Sequence, residues 1–192
     1  MVADKVKSIL YRILLGIGIC AFILSAIRPW WIATFRPILS PGITYVWIYA
    51  YGLIHNAKLL APYLATYETS PTLMMLAQIV LGAFTILLII ALFMKDRWGH
   101  RIVGAIGLIY LVWSLGFIPV IYEGTGRAPI PGARFPVQGQ IRIHADIEEL
   151  IITASFQDGY FLALIASILL ILLFTWREYS YRKSRVVKDN FK

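Results

Sequence analysis

The chain has 192 residues, of which 59% are hydrophobic and only 15% charged, and its formal net charge is +8. Because a soluble domain of this size carries about a quarter charged residues, the composition excludes an ordinary soluble globular protein. The apolar residues form long blocks instead of amphipathic stripes, a pattern typical of membrane-spanning helices. The sequence therefore predicts a single membrane domain covering residues 1–192.

Residues 9–27 form the first predicted span and follow a short basic start. The apolar run is longer than that of a signal peptide, and it ends in Arg28-Pro29-Trp30-Trp31 instead of a small-residue cleavage site. We therefore expect a retained anchor helix. The single cysteine, Cys20, lies inside it and is expected to pack as a small apolar residue.

Residues 28–72 form the first predicted outer segment. Its middle, residues 43–67, is apolar and aromatic but is interrupted by residues such as Gly52 and Pro62. A full span here would put the N-terminus and the next short turn on opposite sides of the membrane. We therefore predict that residues 43–67 form an interfacial or re-entrant helix on the outer face.

Residues 73–94 and 102–121 are the second and third predicted spans, and the short polar turn 95–101 makes them an antiparallel hairpin. The second outer segment, residues 122–158, begins with a Gly- and Pro-rich loop. Residues 141–147 then alternate between apolar and polar side chains, which predicts a strand, and residues 148–156 are a candidate return strand. The fourth predicted span, residues 159–176, leads into a basic tail.

These elements predict an all-α integral membrane fold: a bundle of four transmembrane helices with an outer interfacial helix and a small outer β element. In this topology the inner segments hold twelve basic and four acidic residues, which accounts for the whole net charge of +8. The positive-inside rule therefore predicts a multi-pass protein of the plasma membrane with both termini in the cytoplasm. The basic tail is expected to contact membrane lipid, and no nucleic-acid partner is predicted.

A cluster of cationic and aromatic residues just beyond the first span is the candidate substrate or quinone site. Its members are Arg28, Trp30, Trp31, Arg36, Trp47, His55 and Lys58. Aromatic faces can hold a flat quinone ring, and fixed cations can attract a small anion or stabilise a reduced headgroup. The alternative is an ordinary interfacial belt of aromatic and cationic residues.

No catalytic residue is identified, since the usual catalytic motifs are absent from the sequence. No metal or haem is predicted either. The three histidines fall in outer segments or in the short turn, where they do not form the histidine pair that a haem inside the membrane requires.

The topology resembles the DoxX/DoxD group of four-helix membrane proteins, and is most similar to the DoxD subunit of archaeal thiosulfate:quinone oxidoreductase. The residues that carry the resemblance are Arg12 with Gly16, Gln78 with Gly82, the basic turn 95–101, and Gly104 with Gly107. Gln78 stands where the family usually has an acidic residue. The resemblance implies oxidation of thiosulfate to tetrathionate, with quinone as electron acceptor and a second subunit of the DoxA type as partner.

Two other functions are compatible with the sequence. The chain could be a noncatalytic accessory subunit of a larger respiratory or monooxygenase complex, with its aromatic residues packed against partner helices. A small transporter or channel is disfavoured, because the predicted spans hold almost no ionisable residues and such residues mark ion pathways.

Overall fold

A computed structural model describes residues 2–38, 42–56, 69–94, 97–126, 136–144 and 149–189 of the chain. Within these ranges four helices and five strands follow one another. In chain order they are α1 (Val2–Ile27), β1 (Trp31–Pro37), β2 (Thr44–Tyr49), β3 (Gly52–His55), α2 (Pro71–Phe93), α3 (Arg97–Gly126), β4 (Gly139–His144), β5 (Glu149–Phe156) and α4 (Asp158–Asp189).

Each of the four described helices is long and apolar enough to cross a membrane, which requires about 20 residues. The apolar segments are Val6–Ile27, Pro71–Phe93, Trp98–Glu123 and Asp158–Arg182. They contain nearly all of the predicted spans 9–27, 73–94, 102–121 and 159–176, so the prediction of four long apolar helices is confirmed.

The bundle has two chemically different ends. We call the end where α1 stops at Ile27 and α4 begins at Asp158 the sheet end, because the strands start there. We call the other end the turn end, because the short connection between α2 and α3 lies there, after Phe93. The guanidinium carbon of Arg177, late in α4, lies 5.4 Å from the ring centre of Tyr11, so the beginning of α1 also belongs to the turn end.

Helix α4 packs closely against α3 through small residues. A Cβ atom added at Gly104 would lie 2.5 Å from Cγ of Phe174, and one added at Gly107 would lie 2.9 Å from Cβ of Leu170. These two glycines therefore allow the backbones of α3 and α4 to approach closely. Gly82 of α2 faces open space, with no atom within 4 Å of an added Cβ.

The five strands form an antiparallel sheet in the order β3-β2-β1-β5-β4. Strand β1 leaves the bundle after α1, and β5 returns to it just before α4. The backbone N–H of Gln157 donates to the carbonyl oxygen of Trp30 at 2.9 Å and ties the two strands together at the bundle. The predicted strands within 141–147 and 148–156 are confirmed as β4 and β5 where the structure describes them, and residues 145–148 lie outside the described residues.

The prediction of an outer helix over residues 43–67 is wrong for residues 43–56, and the fold is accordingly a helical bundle with a five-stranded sheet, not all-α. Residues 44–49 (TYVWIY) are β-branched or aromatic, which are the side chains that pack well on a pleated sheet. Glycine at position 52 has φ +151°, and it opens β3 after a tight turn. Residues 57–67 lie outside the described residues.

Candidate functional site

Trp30 of the predicted cluster is a core residue at the junction of the sheet and the bundle. Its side chain is 0% exposed, and its indole Nε1 donates a hydrogen bond to the carbonyl oxygen of Ser25 at 2.8 Å. The rings of Tyr110, Phe117 and Tyr160 meet it edge-on at centroid distances of 5.8, 5.2 and 5.9 Å. Trp30 therefore joins α1, α3 and α4 and leaves no open ring face for a ligand.

The hydroxyl groups beside Trp30 are also satisfied internally. Ser25 Oγ donates to the carbonyl oxygen of Phe22 at 2.7 Å and lies 2.8 Å from the hydroxyl of Tyr110. The Phe22 and Tyr110 rings are 4.5 Å apart. Both hydroxyl groups therefore have hydrogen-bond partners inside the protein, as buried polar groups normally do.

Trp31 and His55 lie on the buried face of the sheet. Trp31 is 5% exposed, and its Nε1 donates to the carbonyl oxygen of Val137 at 2.8 Å. His55 is half-buried and stands opposite Val46, which in turn stands opposite Ala33. Directly paired residues of antiparallel strands share a face, so His55 lies on the same side as Trp31 and Ala33.

Arg28 lies at the sheet end of the bundle, away from the buried face. Its Nη1 atom is 2.9 Å from Oδ2 of Asp158, and the two side chains are 55% and 61% exposed. The pair connects the end of α1 to the start of α4. An exposed pair of this kind contributes little to stability, and it also neutralises the cation that the sequence suggested for anion binding.

Arg36 lies near the end of β1 that is far from the bundle and from Arg28. It is on the opposite face of the sheet from Trp31. It pairs with Ile151 of β5, and Ile151 pairs with Arg142 of β4. The two arginines therefore share a face, two strand spacings or about 10 Å apart. Both are exposed, and neither has a carboxylate partner among the residues that the structure describes.

We call this side of the sheet the polar face and define it by Thr34, Arg36, Gln140, Arg142 and Thr153. Thr34, Thr153 and Gln140 form the row next to the arginines. Thr34 Oγ1 approaches the carbonyl oxygen of Thr153 at 3.4 Å. The polar face therefore combines two cations with hydroxyl and amide groups, which are the donors that oxyanions and carboxylates require.

Trp47 stands on the polar side of β2, half-buried and stacked on Tyr45 with ring centres 5.3 Å apart. Tyr49 and Tyr51 form a second stacked pair at 5.2 Å. Burial, and then the neighbouring Tyr49, raise the pKa of Tyr51 above its usual value, so its phenol stays neutral at physiological pH. These rings extend the polar face toward the bundle with an aromatic strip.

The structure thus separates the predicted cluster into three places. Trp30, Trp31 and His55 belong to buried surfaces, Arg28 to the ion pair with Asp158, and Arg36 and Trp47 to the polar side of the sheet. Lys58 lies outside the described residues. Among the described residues, no group of three or more His, Cys, Asp and Glu side chains is arranged to hold a metal ion.

Sequence reasoning missed Arg142 as a neighbour of Arg36. The alternation over residues 141–147 already put Arg142 and His144 on one side of a strand, opposite Ile141 and Ile143. Only the pairing of β5 with both β1 and β4 brings Arg142 onto the face that carries Arg36. His144, next on the same side, lies with Nδ1 3.0 Å from Oε1 of Glu149, so it already has a partner within the sheet.

No protein-family model matches this chain, and a search of curated proteins finds no match.

Proposed function

We propose that this chain is a noncatalytic membrane subunit whose polar sheet face receives an acidic partner protein on the extracytoplasmic side of the plasma membrane. The observation that carries the proposal is the arginine pair. Arg36 and Arg142 are exposed, share one face of a sheet, and have no carboxylate partner in the described part of the chain. Two exposed guanidinium groups without a carboxylate partner among the described residues favour a partner that supplies carboxylates.

The orientation follows from charge. The positive-inside rule favours a cytoplasmic turn end, because the N-terminal start, the turn and the tail hold twelve of the 18 basic residues. The sheet end then faces the extracytoplasmic side. There the sheet can meet a soluble partner domain or the outer part of another membrane subunit without entering the lipid.

The test begins with the complex that copurifies with the full chain in mild detergent. Once its second subunit is identified, the dissociation constant of the two purified proteins is measured for the Arg36→Ala/Arg142→Ala variant. We expect binding about tenfold weaker or more, because charge-assisted hydrogen bonds contribute roughly 1.5–3 kcal/mol each. Raising the salt concentration should weaken the native complex more than the variant complex.

Arg182→Ala is the control, since Arg182 is an exposed arginine at the turn end, paired with Glu178 at 3.3 Å. It removes one positive charge without touching the sheet. Equal weakening by this control, or unchanged binding in the double variant, contradicts the proposal. A complex that holds no acidic partner surface also contradicts it.

The resemblance to DoxD suggests one particular complex, thiosulfate:quinone oxidoreductase, as a second candidate. The observation that favours it is again the arginine pair, whose two guanidinium groups suit a divalent oxyanion such as thiosulfate. In that complex Arg36 and Arg142 would hold the anion beside a DoxA-type subunit, and the quinone would accept the electrons. Trp47 and Tyr45 are the described aromatic residues nearest to this face.

Thiosulfate-dependent reduction of a quinone analogue by the purified complex distinguishes the two candidates. If the oxidoreductase assignment is correct, the complex that carries Arg36→Ala/Arg142→Ala should have a higher KM for thiosulfate than the native complex, and its subunits should stay together. If the chain only docks a partner, the same variant loses the partner, and the native complex shows no such activity. Bound quinone in the purified complex supports the oxidoreductase.

A further inference from the structure

A small polar cavity lies at the turn end, where all four described helices meet. Its volume is about 30 Å³, room for about two water-sized groups. The polar side chains that line it are Ser8, Tyr11, Arg12, His100 and Arg177, and none of the described lining residues is acidic. A cavity with two arginines and no carboxylate in its described lining has room and charge for part of an anion.

Arg177 is held in place by aromatic rings. Its guanidinium carbon lies 5.4 Å from the ring centre of Tyr11 and 5.3 Å from that of Tyr181. Tyr11 is itself buried against the bundle. A cation stacked in this way keeps its N–H groups in a fixed plane, whereas an arginine that only extends toward lipid headgroups stays mobile.

The carboxylate nearest in the chain does not neutralise Arg177. Glu178 accepts hydrogen bonds from Nε2 of His100 at 3.1 Å and from Nε of Arg182 at 3.3 Å. The carboxylate of Glu178 therefore interacts with His100 and Arg182 and not with Arg177. Arg12, on the other side of the cavity, is exposed and has no ion-pair partner in the described part of the chain.

The buried side chain of His100 is a second, independent indication that this cavity binds a ligand. It is 3% exposed, stacks between 5 and 6 Å from the rings of Tyr181 and Phe174, and lines the same cavity. Within the described residues, its buried Nδ1 atom has no hydrogen-bond partner. A buried ring nitrogen without a partner lowers stability. Because Nε2 donates to Glu178, Nδ1 of the neutral ring is an acceptor, and a hydroxyl group of a bound molecule would satisfy it.

We propose that a phosphate group binds at the mouth of this cavity, with oxygens that enter it and contact Arg12 and Arg177, and with His100 completing the site. With Nε2 donating to Glu178, Nδ1 is the acceptor nitrogen of the neutral ring and can accept a hydrogen bond from a hydroxyl group of the bound molecule, such as the P–OH of monohydrogen phosphate or a glycerol hydroxyl of a phosphatidylglycerol headgroup. The group can belong to a phospholipid headgroup at the membrane surface or to free phosphate, because both present the same oxygens. The site is separate from the polar face and does not depend on the proposed function.

The full chain in detergent is titrated by native mass spectrometry with three probes: dioctanoylphosphatidylglycerol, inorganic phosphate, and dioctanoylglycerol, which lacks the phosphate. We expect saturable binding of the phospholipid and much weaker binding of the uncharged lipid. Arg12→Gln and Arg177→Gln should each weaken phospholipid binding about tenfold, which corresponds to about 1.4 kcal/mol. If inorganic phosphate displaces the phospholipid, the site takes the free anion, and if not, the lipid headgroup is its ligand.

Arg101→Gln is the matched control, because Arg101 is an exposed arginine at the same end of the bundle that stacks on Trp98 and does not line the cavity. It should change binding less than twofold. Arg12 is exposed, so Arg12→Gln remains a valid test even if loss of Arg177 prevents folding. The proposal is overturned if Arg101→Gln weakens binding as much as Arg12→Gln, if dioctanoylglycerol binds as tightly as the phospholipid, or if neither phosphate probe binds saturably.

Discussion

The two ends of the bundle use the same kinds of residue in opposite ways. At the sheet end, aromatic rings close around Trp30 and leave it 0% exposed, and the nearby cation Arg28 is paired with Asp158. At the turn end, aromatic rings instead hold a cation, Arg177, beside a cavity. Aromatic and basic residues alone therefore do not indicate a binding site. What distinguishes the two ends is whether space remains between the side chains.

Replacing Trp30 by alanine should produce the largest effect on the sheet end. The substitution removes a fully buried ring that contacts α3 and α4, and we expect the free energy of unfolding to fall by about 3–5 kcal/mol. Chemical or thermal unfolding in detergent, followed by circular dichroism, measures it. Trp98→Ala at the turn end is the control, since Trp98 is 66% exposed and should cost about 1 kcal/mol or less. If the two variants lost similar amounts of unfolding free energy, the proposed difference in packing between the sheet end and the turn end would be wrong.

Gly159→Ala tests how tightly the start of α4 meets the end of α1. An added Cβ would lie 2.5 Å from the carbonyl oxygen of Pro29 and 2.6 Å from that of Arg28, so the backbone must shift. We expect a loss of about 1–3 kcal/mol in the same unfolding measurement. Gly82→Ala, which meets no atom within 4 Å, should instead be neutral or stabilise the helix by up to about 1 kcal/mol. If Gly159→Ala left the free energy of unfolding unchanged, the start of α4 would not be tightly packed against the end of α1.

Tyr11→Leu probes the stacking of Arg177 at the turn end. The variant removes one of the two rings over the guanidinium group, and it should cost about 1 kcal/mol of stability. Tyr11→Phe keeps the ring and serves as the control. If the stack matters, the Phe variant retains the stability that the Leu variant loses. Equal losses would assign the effect to the hydroxyl group.

The Arg28–Asp158 pair should give the smallest effect. Both side chains are more than half exposed, so their interaction is screened by solvent. A double-mutant cycle with Arg28→Ala and Asp158→Ala should yield a coupling energy of about 0.2–1 kcal/mol, decreasing as salt is added. A larger, salt-insensitive coupling would mean that this pair is a structural element comparable to Trp30.

The four long apolar helices and the antiparallel pair β4 and β5 could be predicted from sequence, because long apolar runs and strict alternation are local patterns. Strands β2 and β3 could not be predicted, because apolar and aromatic residues in 43–56 occur at both odd and even positions and show no clear period. The register of β1 also decides which of its side chains are buried. Trp31 and Arg36 fall on opposite faces, a separation that a cluster defined only by chain position does not reveal.

The same limit applies to the candidate sites. Arg36 was identified from the sequence, but its neighbour Arg142 comes from a distant segment and reaches the same face through β5. At the turn end, the sequence indicated only a basic tail. The stacking of Arg177 on Tyr11 joins α4 to α1, and the sequence without pairing information does not predict such a contact.

The pairing of β1 with β5 also constrains the order in which the protein folds. Strands β1, β2 and β3 are consecutive in the chain, as are β4 and β5, so each group can form soon after its own segment is synthesised. Thr34 and Thr153, which join the two groups, are 119 residues apart. One edge of β1 therefore stays unpaired until α2 and α3 have been made, and an open strand edge is prone to pair with other chains. Synthesis that stops after α3 should leave an aggregation-prone intermediate, whereas the arrival of β5 closes the sheet.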